Sequence, residues 1–335
     1  MLEIVNCPST LGEGYSTYSQ KARRALFDGQ KVSHLLDFNI DEFHSAGEVA
    51  EAMHRISVSG VQEKFPAILK DSHIRIAGDG DRSTYILKPV PWDRTLVERK
   101  QIPANENLTM QIASQVYGIK TAENGLCFTP KGEIVYITKR FDILPDGYKL
   151  PMEDFASVLG HNEQEDGKHF KYSGCYEEIA DAIRKHVAAW RVDMERFFDL
   201  VVFNYIYANG DDHLKNFSLM LDGDDYRLAP AYDLLNTSIH VNGDDLGLDG
   251  GLSPDIERSD VYERTGHPCR LDFERFGWRI GLLESRVARI LDRYMLLPEA
   301  SSKLVGRSFL SDKAKRNYLR IVNERIARFA RTSVE

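Results

Sequence analysis

The sequence lacks the cysteine and glycine patterns of several common protein classes. It contains four cysteines, Cys7, Cys127, Cys175 and Cys269, and no two of them form a CxxC pair. Neither a disulfide framework nor a zinc ribbon is therefore indicated, and the scattered thiols fit a reducing compartment. No segment matches the GxxxxGK[ST] pattern of Walker-type nucleotide-binding proteins.

The chain also lacks an excess of positive charge and a long apolar run. Its 43 Lys and Arg stand against 51 Asp and Glu, giving a net charge of −8, which argues against a broad basic face for nucleic acid. The N-terminus has no basic stretch followed by an apolar one, so no secretory signal is predicted. The most apolar stretch, residues 200–207, is too short to cross a bilayer. We expect a cytoplasmic protein without direct membrane or nucleic-acid contact.

The remaining patterns indicate two lobes. A chain of 335 residues with 42% hydrophobic content can bury a large core. Short β-like runs dominate up to residue 136, with one helical segment at 104–117, and helical patterns dominate after Pro151. We expect an α+β fold with a β-rich N-terminal lobe, residues 1–150, and a mainly helical C-terminal lobe, residues 151–335. Helices of the second lobe are predicted at 176–186, 193–208, 273–294 and 312–330.

The strongest chemical signal is an acidic loop, NGDDHLKN, at residues 209–216. It follows an apolar helical segment, and its Asn-Gly suits a helix C-terminus that needs a positive φ. Asp211 precedes Asn216 by five positions, the separation between the proton-accepting Asp and the Mg²⁺-binding Asn of protein kinases. In isolation, such a loop is more often a solvated acidic turn, with Asn216 opening the strand FSLML.

A second acidic residue, Asp233, follows in APAYDLL, seventeen positions after Asn216. The stretches FSLML and YRLA around Gly223 predict a hairpin, which would return the chain to the acidic loop. A carboxylate and an amide oxygen, together with phosphate oxygens, are ligands that suit Mg²⁺. Asp233 could instead cap the residues that follow it, and these residues alone leave both interpretations open.

Two lysines are candidates for phosphate contacts. Lys64 ends ISVSGVQEK, a small-residue turn whose backbone N–H groups could approach phosphates, although an ordinary turn is the simpler interpretation. Lys88 ends the strand-like run YILK, as the ATP-binding lysine does on the third strand of protein kinases. A surface lysine at a strand end is more common, but Glu106 on the following helix could form an ion pair that positions Lys88.

In this order, the motifs resemble those of the HipA-like serine/threonine kinases, the toxins of bacterial toxin–antitoxin modules. The acidic loop is similar to their D-x-H-x-K-N motif, and the resemblance implies a two-lobed protein-kinase-like fold that uses ATP and Mg²⁺. It implies that Asp211 is the catalytic base and that Asn216 and Asp233 hold Mg²⁺. The implied ATP-binding residues are Ser59, Gly60, Val61, Lys64, Lys88, Lys139, Phe141, His213 and Lys215.

Within the family, the chain is most similar to the HipT toxins of three-component HipBST systems. Single-chain members carry a further domain ahead of the phosphate loop, and because that loop begins at Ser57 here, we expect a shortened form without this domain. The resemblance implies a HipS-like small antitoxin in place of that domain, a HipB-like DNA-binding antitoxin, and translation arrest through phosphorylation of an aminoacyl-tRNA synthetase, above all the tryptophanyl enzyme. It also implies inhibitory autophosphorylation at Ser57 and Ser59, since added negative charge would compete with ATP phosphates.

Two other classes fit part of the pattern. A small-molecule or lipid kinase built on the same lobes would share every nucleotide-site residue. A pseudokinase scaffold that only binds partner proteins would not need Lys88, Asp211, Asn216 and Asp233 together. Incorporation of label from ATP into protein would separate these alternatives from a non-specific serine/threonine protein kinase.

Overall fold

The computed structural model describes residues 3–43 and 63–333. A five-stranded antiparallel sheet forms the centre of the N-terminal lobe, and its strand order is β2-β1-β3-β5-β4. The strands are β1 (Phe65–Lys70), β2 (His73–Ile76), β3 (Tyr85–Lys88), β4 (Asn124–Phe128) and β5 (Ile134–Lys139). The β-like runs of the sequence therefore form this sheet, as predicted.

Two helices pack with the sheet: α1 (Gln20–Phe27) and α2 (Ile102–Gln115). Helix α2 is buried along its whole length up to Ala113, because the sheet and the helical lobe both pack against it. Pro103 lies in its first turn, where a missing backbone N–H costs no hydrogen bond. This buried position makes α2 a rigid support for Glu106.

The C-terminal lobe is mainly helical around a small sheet. Its helices are α3 (Phe155–Leu159), α4 (Glu163–Asp166), α5 (Tyr176–His186), α6 (Trp190–Ile206), α7 (Asp260–Thr265), α8 (Arg270–Arg279), α9 (Glu284–Asp292), α10 (Glu299–Arg307) and α11 (Asp312–Phe329). The strands β6 (Met152–Asp154), β7 (Ser218–Asp222) and β8 (Asp225–Leu228) form the antiparallel sheet. The hairpin β7–β8 turns at Gly223, whose φ is 68°, so the predicted hairpin is confirmed.

The lobes share one apolar core. Tyr117, which follows α2, stacks on Tyr294 with ring centroids 4.6 Å apart and also contacts Phe203 and Tyr207 of the helical lobe. This packing joins helix α2 of the N-terminal lobe to the helical lobe. None of the described helices is both long and apolar enough to span a membrane. A domain boundary at residues 150 and 151 stays a prediction.

Two predicted details were wrong. The helix expected at 273–294 is two helices, α8 and α9, because Gly281 between them adopts φ 87°, which a right-handed helix does not accommodate. Helix α6 ends at Ile206, and the positive φ after it belongs to Ala208 at 55°, not to the Asn-Gly pair. Gly210 serves close packing instead, since a Cβ there would lie 2.5 Å from the Asp244 carbonyl oxygen.

Candidate active site

The acidic loop leaves the C-terminus of α6 and is anchored to it by buried amides. Asn209 donates a 3.2 Å hydrogen bond to the Asn204 side chain, and Asn204 donates one of 3.1 Å to Oδ2 of Asp212. Asn204 belongs to α6, which lies at the centre of its lobe. The loop is therefore fixed on a rigid element, as precise placement of reacting groups requires.

Asp211 and Asn216 are held together by this loop. The Asn216 Nδ2 atom donates a 2.7 Å hydrogen bond to the Asp211 carbonyl oxygen. The Asp211 side chain is 44% exposed, and its Oδ1 accepts a 2.7 Å hydrogen bond from the hydroxyl of Tyr172. The carboxylate is thus oriented and still open to an incoming hydroxyl group.

Asp233 faces two lysines. Lys64 Nζ lies 3.2 Å from Asp233 Oδ2, and Lys88 Nζ contacts Asp233 Oδ1 and lies 2.5 Å from Glu106 Oε1. Burial raises the pKa of the Asp233 carboxyl, but the two ammonium groups outweigh it and hold that pKa well below its usual range. The predicted ion pair between Lys88 and Glu106 is present. Asp233 caps none of the described helices, since Asn236 is the N-cap residue of the next helical turn.

These groups line one cleft between the lobes. Its volume is about 770 Å³, and its lining includes Asp211, Asn216, Asp233, Lys64 and Lys88. The structure therefore brings the predicted base, the predicted metal ligands and two predicted phosphate-binding lysines to one place. Lys64 and Asp233, which are in contact here, are 169 positions apart in the sequence.

His213 also lines the cleft and is only 3% exposed. Its Nε2 lies 4.0 Å from Asp211 Oδ1, and its Nδ1 has no hydrogen-bond partner among the described residues. Burial lowers the pKa of His213 to about 4, although the nearby Asp211 carboxylate opposes the shift. The imidazole is therefore neutral at pH 7, so it offers a polar group to the cleft rather than a charge.

Other predicted ATP-binding residues lie elsewhere or outside the described residues. Lys215 Nζ pairs with Asp154 Oδ2 at 2.9 Å, and Lys139 Nζ pairs with Asp28 Oδ1 at 2.6 Å. The Phe141 ring lies 5.8 Å from that of Tyr232. Among the described residues, the cleft lining includes none of these three predicted residues, so their contact with nucleotide stays a prediction. The predicted ATP-binding residues Ser59, Gly60 and Val61 lie outside the described residues, as does the predicted autophosphorylation site Ser57.

The sequence reasoning missed three residues of the site. Lys171 and Tyr172 line the cleft from the turn that precedes α5, and they belong to no spaced motif. Asp212 lies beneath the loop, where its Oδ1 accepts a 3.0 Å hydrogen bond from the Gly247 amide. Burial raises the pKa of Asp212 to about 7, although hydrogen bonds from its neighbours oppose the shift. In the sequence, the only indication of Asp212 was its position next to Asp211 in the acidic loop.

A partly exposed Asp on the acidic loop, a second Asp beside a buried Lys–Glu pair, and a cleft between a β-lobe and a helical lobe are typical of a kinase-like protein. Residues 56–299 match the family described as HipA-like C-terminal domain. This match covers more than half of the chain, so the chain belongs to that family.

Relatives of this chain carry kinase names. A protein of Haemophilus influenzae named "Putative kinase" is 29% identical over 248 residues, which are 69% of this chain and 66% of the relative. The "Putative kinase Y4mE" of Sinorhizobium fredii is 29% identical over 198 residues, which are 55% of this chain and 43% of the relative. Each alignment spans less than two thirds of the relative's length.

A solved structure shows the same fold. It is a chain of the Shewanella oneidensis MR-1 complex of the toxin–antitoxin system HipA, HipB and its operator DNA. The match has a TM-score of 0.60 and 18% identity, and it covers 82% of this chain and 64% of that chain. The expected two-lobed HipA-like fold is thereby confirmed.

Proposed function

We propose that this chain is a protein kinase that transfers the γ-phosphoryl group of ATP to a serine or threonine hydroxyl group. The observation that supports this most directly is the convergence of Asp211, Asn216, Asp233 and the Lys88–Glu106 pair on one cleft. Phosphoryl transfer needs a positioned hydroxyl group, a proton acceptor and cations around the phosphates. Asp211 is the candidate proton acceptor. Lys88, and a Mg²⁺ ion held by Asn216 and Asp233, are the candidate cations.

The donor set fits a nucleotide-bound Mg²⁺ ion. The Asp233 carboxylate is kept charged, and the Asn216 amide nitrogen is engaged by the Asp211 carbonyl oxygen, so its Oδ1 is the atom left for a cation. Both are hard oxygen ligands, which Mg²⁺ prefers together with phosphate and water. The described residues contain no group of three His, Cys, Asp or Glu side chains that could hold a metal ion. Mg²⁺ bound here would take its other ligands from nucleotide and water, and it would neutralise phosphate charge.

The side chains then have distinct tasks. Asp211 accepts the proton of the substrate hydroxyl group, while Tyr172 keeps its carboxylate oriented. Lys88 stabilises phosphate charge and is itself positioned by Glu106. Because catalysis of this kind depends mainly on positioning and electrostatic stabilisation, replacing Asp211 or Asp233 by an uncharged residue should abolish activity while leaving the fold largely intact.

Transfer of label from ATP to protein tests the proposal. Asp211→Asn and Asp233→Asn should each lower phosphorylation of proteins in a lysate by at least about 100-fold, the usual scale for a lost catalytic group. Asp224→Asn, on the exposed hairpin turn, is the matched control and should keep full activity. Circular dichroism checks that each variant is folded. Phosphorylation retained in both active-site variants would contradict the proposal, and label found only in small molecules or lipids would favour the alternative kinase class.

We further propose the cellular role implied by the resemblance to HipT. The substrate would be an aminoacyl-tRNA synthetase, above all the tryptophanyl enzyme, and a HipS-like and a HipB-like antitoxin would be the partners. Phosphoproteomics of cells expressing the wild type or Asp211→Asn tests the substrate, and affinity capture with the two candidate antitoxins tests the partners. Mass spectrometry of the purified protein, with and without ATP, tests autophosphorylation at Ser57 and Ser59.

A further inference from the structure

Lys171 is a buried cation of the cleft without a counter-charge. It is 8% exposed and lies on the single turn Phe170–Tyr172. Its ammonium group forms no hydrogen bond or ion pair with residues 3–43 or 63–333, and it lies 4.8 Å from the centroid of the Tyr172 ring. Burying a charge without a partner is costly, so folding alone gives no reason for a lysine at this position.

The charges around Lys171 are those of the active site. Burial lowers the pKa of Lys171 most, the Asp211 and Asp233 carboxylates oppose the shift, and the Lys64 and Lys215 ammonium groups add to it. Lys171 therefore lies within the electrostatic reach of both the predicted base and the predicted metal ligand. In the proposed reaction, the γ-phosphoryl group moves from ATP to the substrate oxygen in the space between those two residues.

The turn that carries Lys171 is packed against the acidic loop, residues 209–216. The Tyr172 hydroxyl donates to Asp211, and its ring packs edge-on against His213 with centroids 5.3 Å apart. On the other side, the Phe170 ring centroid lies 5.9 Å from Lys215 Nζ. The Asp249 amide donates a 2.9 Å hydrogen bond to the Tyr172 carbonyl oxygen. Lys171 is therefore held at the cleft by its neighbours on both sides.

Lys215 is not available to bind phosphate in the cleft. It is the lysine of the D-x-H-x-K-N motif, but its charge is engaged by Asp154 at 2.9 Å, and its side chain is not in the cleft lining. Lys64 and Lys88 are both engaged with Asp233. Among the described lysines of the cleft lining, Lys171 is the one without a carboxylate partner.

We propose that Lys171 is a phosphate-binding residue whose ammonium group contacts the γ-phosphoryl group and stabilises its charge during transfer. The proposal rests on the proposed kinase function. In the transfer, the bond between the γ-phosphorus and the bridging oxygen of ADP breaks, and a bond to the substrate oxygen forms. The hydroxyl proton passes to Asp211, while Lys171 keeps its protons throughout.

The test compares Lys171→Met with Lys168→Met. Lys168 lies just before the same turn but is exposed and outside the cleft lining. Lys168→Met changes the net charge by the same amount as Lys171→Met, so it is the matched control. We expect Lys171→Met to lower kcat about 100-fold, the scale of losing one preorganised charge-stabilising group. It should also weaken binding of a non-hydrolysable ATP analogue about tenfold while leaving ADP binding unchanged, because only the analogue carries a γ-group. Lys168→Met should match the wild type, and Lys171→Arg should recover part of the lost activity.

The two nucleotides separate the possible failures. A wild type that binds neither nucleotide in the presence of Mg²⁺ and labels no protein contradicts the kinase proposal itself. A wild type that binds and transfers, with Lys171→Met equally active, contradicts the role of Lys171 alone. Equal losses of ATP-analogue and ADP binding would show a structural role and would also contradict it. Thermal unfolding checks the fold, and if Lys171→Met is unfolded, Lys171→Gln is measured against the same outcomes.

Discussion

The Tyr172 hydroxyl donates a 2.7 Å hydrogen bond to Oδ1 of Asp211. Burial, and then the neighbouring Asp211 carboxylate, raises the pKa of Tyr172 above its ordinary value, so the hydroxyl stays protonated and remains a donor. Because the Asp211 side chain is 44% exposed, packing alone does not fix it. The bond holds one carboxylate oxygen, and in the proposed mechanism the other accepts the proton of the substrate hydroxyl group.

Tyr172→Phe removes this bond and keeps the ring. A hydrogen bond to a charged group contributes about 1.5 kcal/mol, so we expect kcat to fall roughly tenfold with little change in the KM for ATP. Steady-state phosphorylation measures both constants. Tyr148→Phe is the control because Tyr148 is 58% exposed. An unchanged kcat would show that Asp211 is oriented by the loop alone.

Lys88 and Glu106 form a buried pair whose side chains are 3% and 1% exposed. Lys88→Met leaves the Glu106 carboxylate buried without its cation, and breaking such a pair costs about 3–5 kcal/mol. The double variant Lys88→Met/Glu106→Leu removes both charges and should be more stable than Lys88→Met alone. Urea unfolding of the wild type, both single variants and the double variant measures the coupling free energy. Additive losses would mean that the pair does not stabilise the fold.

Local patterns predicted much of the fold. The period of apolar residues located α5 at 176–186, the same bounds as observed, because an amphipathic helix repeats every 3.6 residues. The β-like runs and the hairpin at Gly223 were also found. The break between α8 and α9 was missed, because a glycine within a periodic stretch is often tolerated in a helix.

The part of the site that could be predicted consists of residues that lie close together in the sequence. Asp211 and Asn216 belong to one loop, and Asp233 follows the hairpin that comes after it, so their proximity followed from local structure. The pairing of Lys215 with Asp154 joins positions 61 residues apart, and that of Tyr172 with Asp211 joins positions 39 apart. Such contacts depend on how whole elements pack, and no motif in the sequence records them.

Gly247, in the cleft lining, lies close to the acidic loop. A Cβ at Gly247 would lie 2.6 Å from Oδ1 and 2.7 Å from the backbone nitrogen of Asp212. We expect Gly247→Ala to displace the loop and to lower kcat about 100-fold, as small misplacements of reacting groups do. Gly243→Ala is the matched control, because its Cβ would meet nothing closer than 4.0 Å. Equal activity of the two variants, measured by phosphorylation assay, would show that the loop adapts.

The Asp212 carboxyl group is 1% exposed. Asn204, the Gly247 amide and, at its backbone oxygen, the Tyr176 hydroxyl contact this residue, and each is a neutral group. Its neighbours along the loop are the Asp211 carboxylate and the His213 imidazole, which is neutral at pH 7. Burial without a cation raises the pKa of Asp212 from its ordinary 3.8 to about 7. The folded state therefore binds this proton more tightly than the unfolded state does.

The sign of the pH dependence follows from this difference. Because the native state holds the proton up to about pH 7, the free energy of unfolding falls as pH rises from about 4 to 7 and stays low above that range. Asp212→Asn removes the titration, so the variant should gain stability relative to the wild type as pH rises, on the order of 3 kcal/mol between pH 5 and pH 8. Urea unfolding between pH 5 and 8 measures the gain. Asp224→Asn should track the wild type, and a gain for Asp212→Asn that does not change with pH would mean that the carboxyl group is already ionised at pH 5.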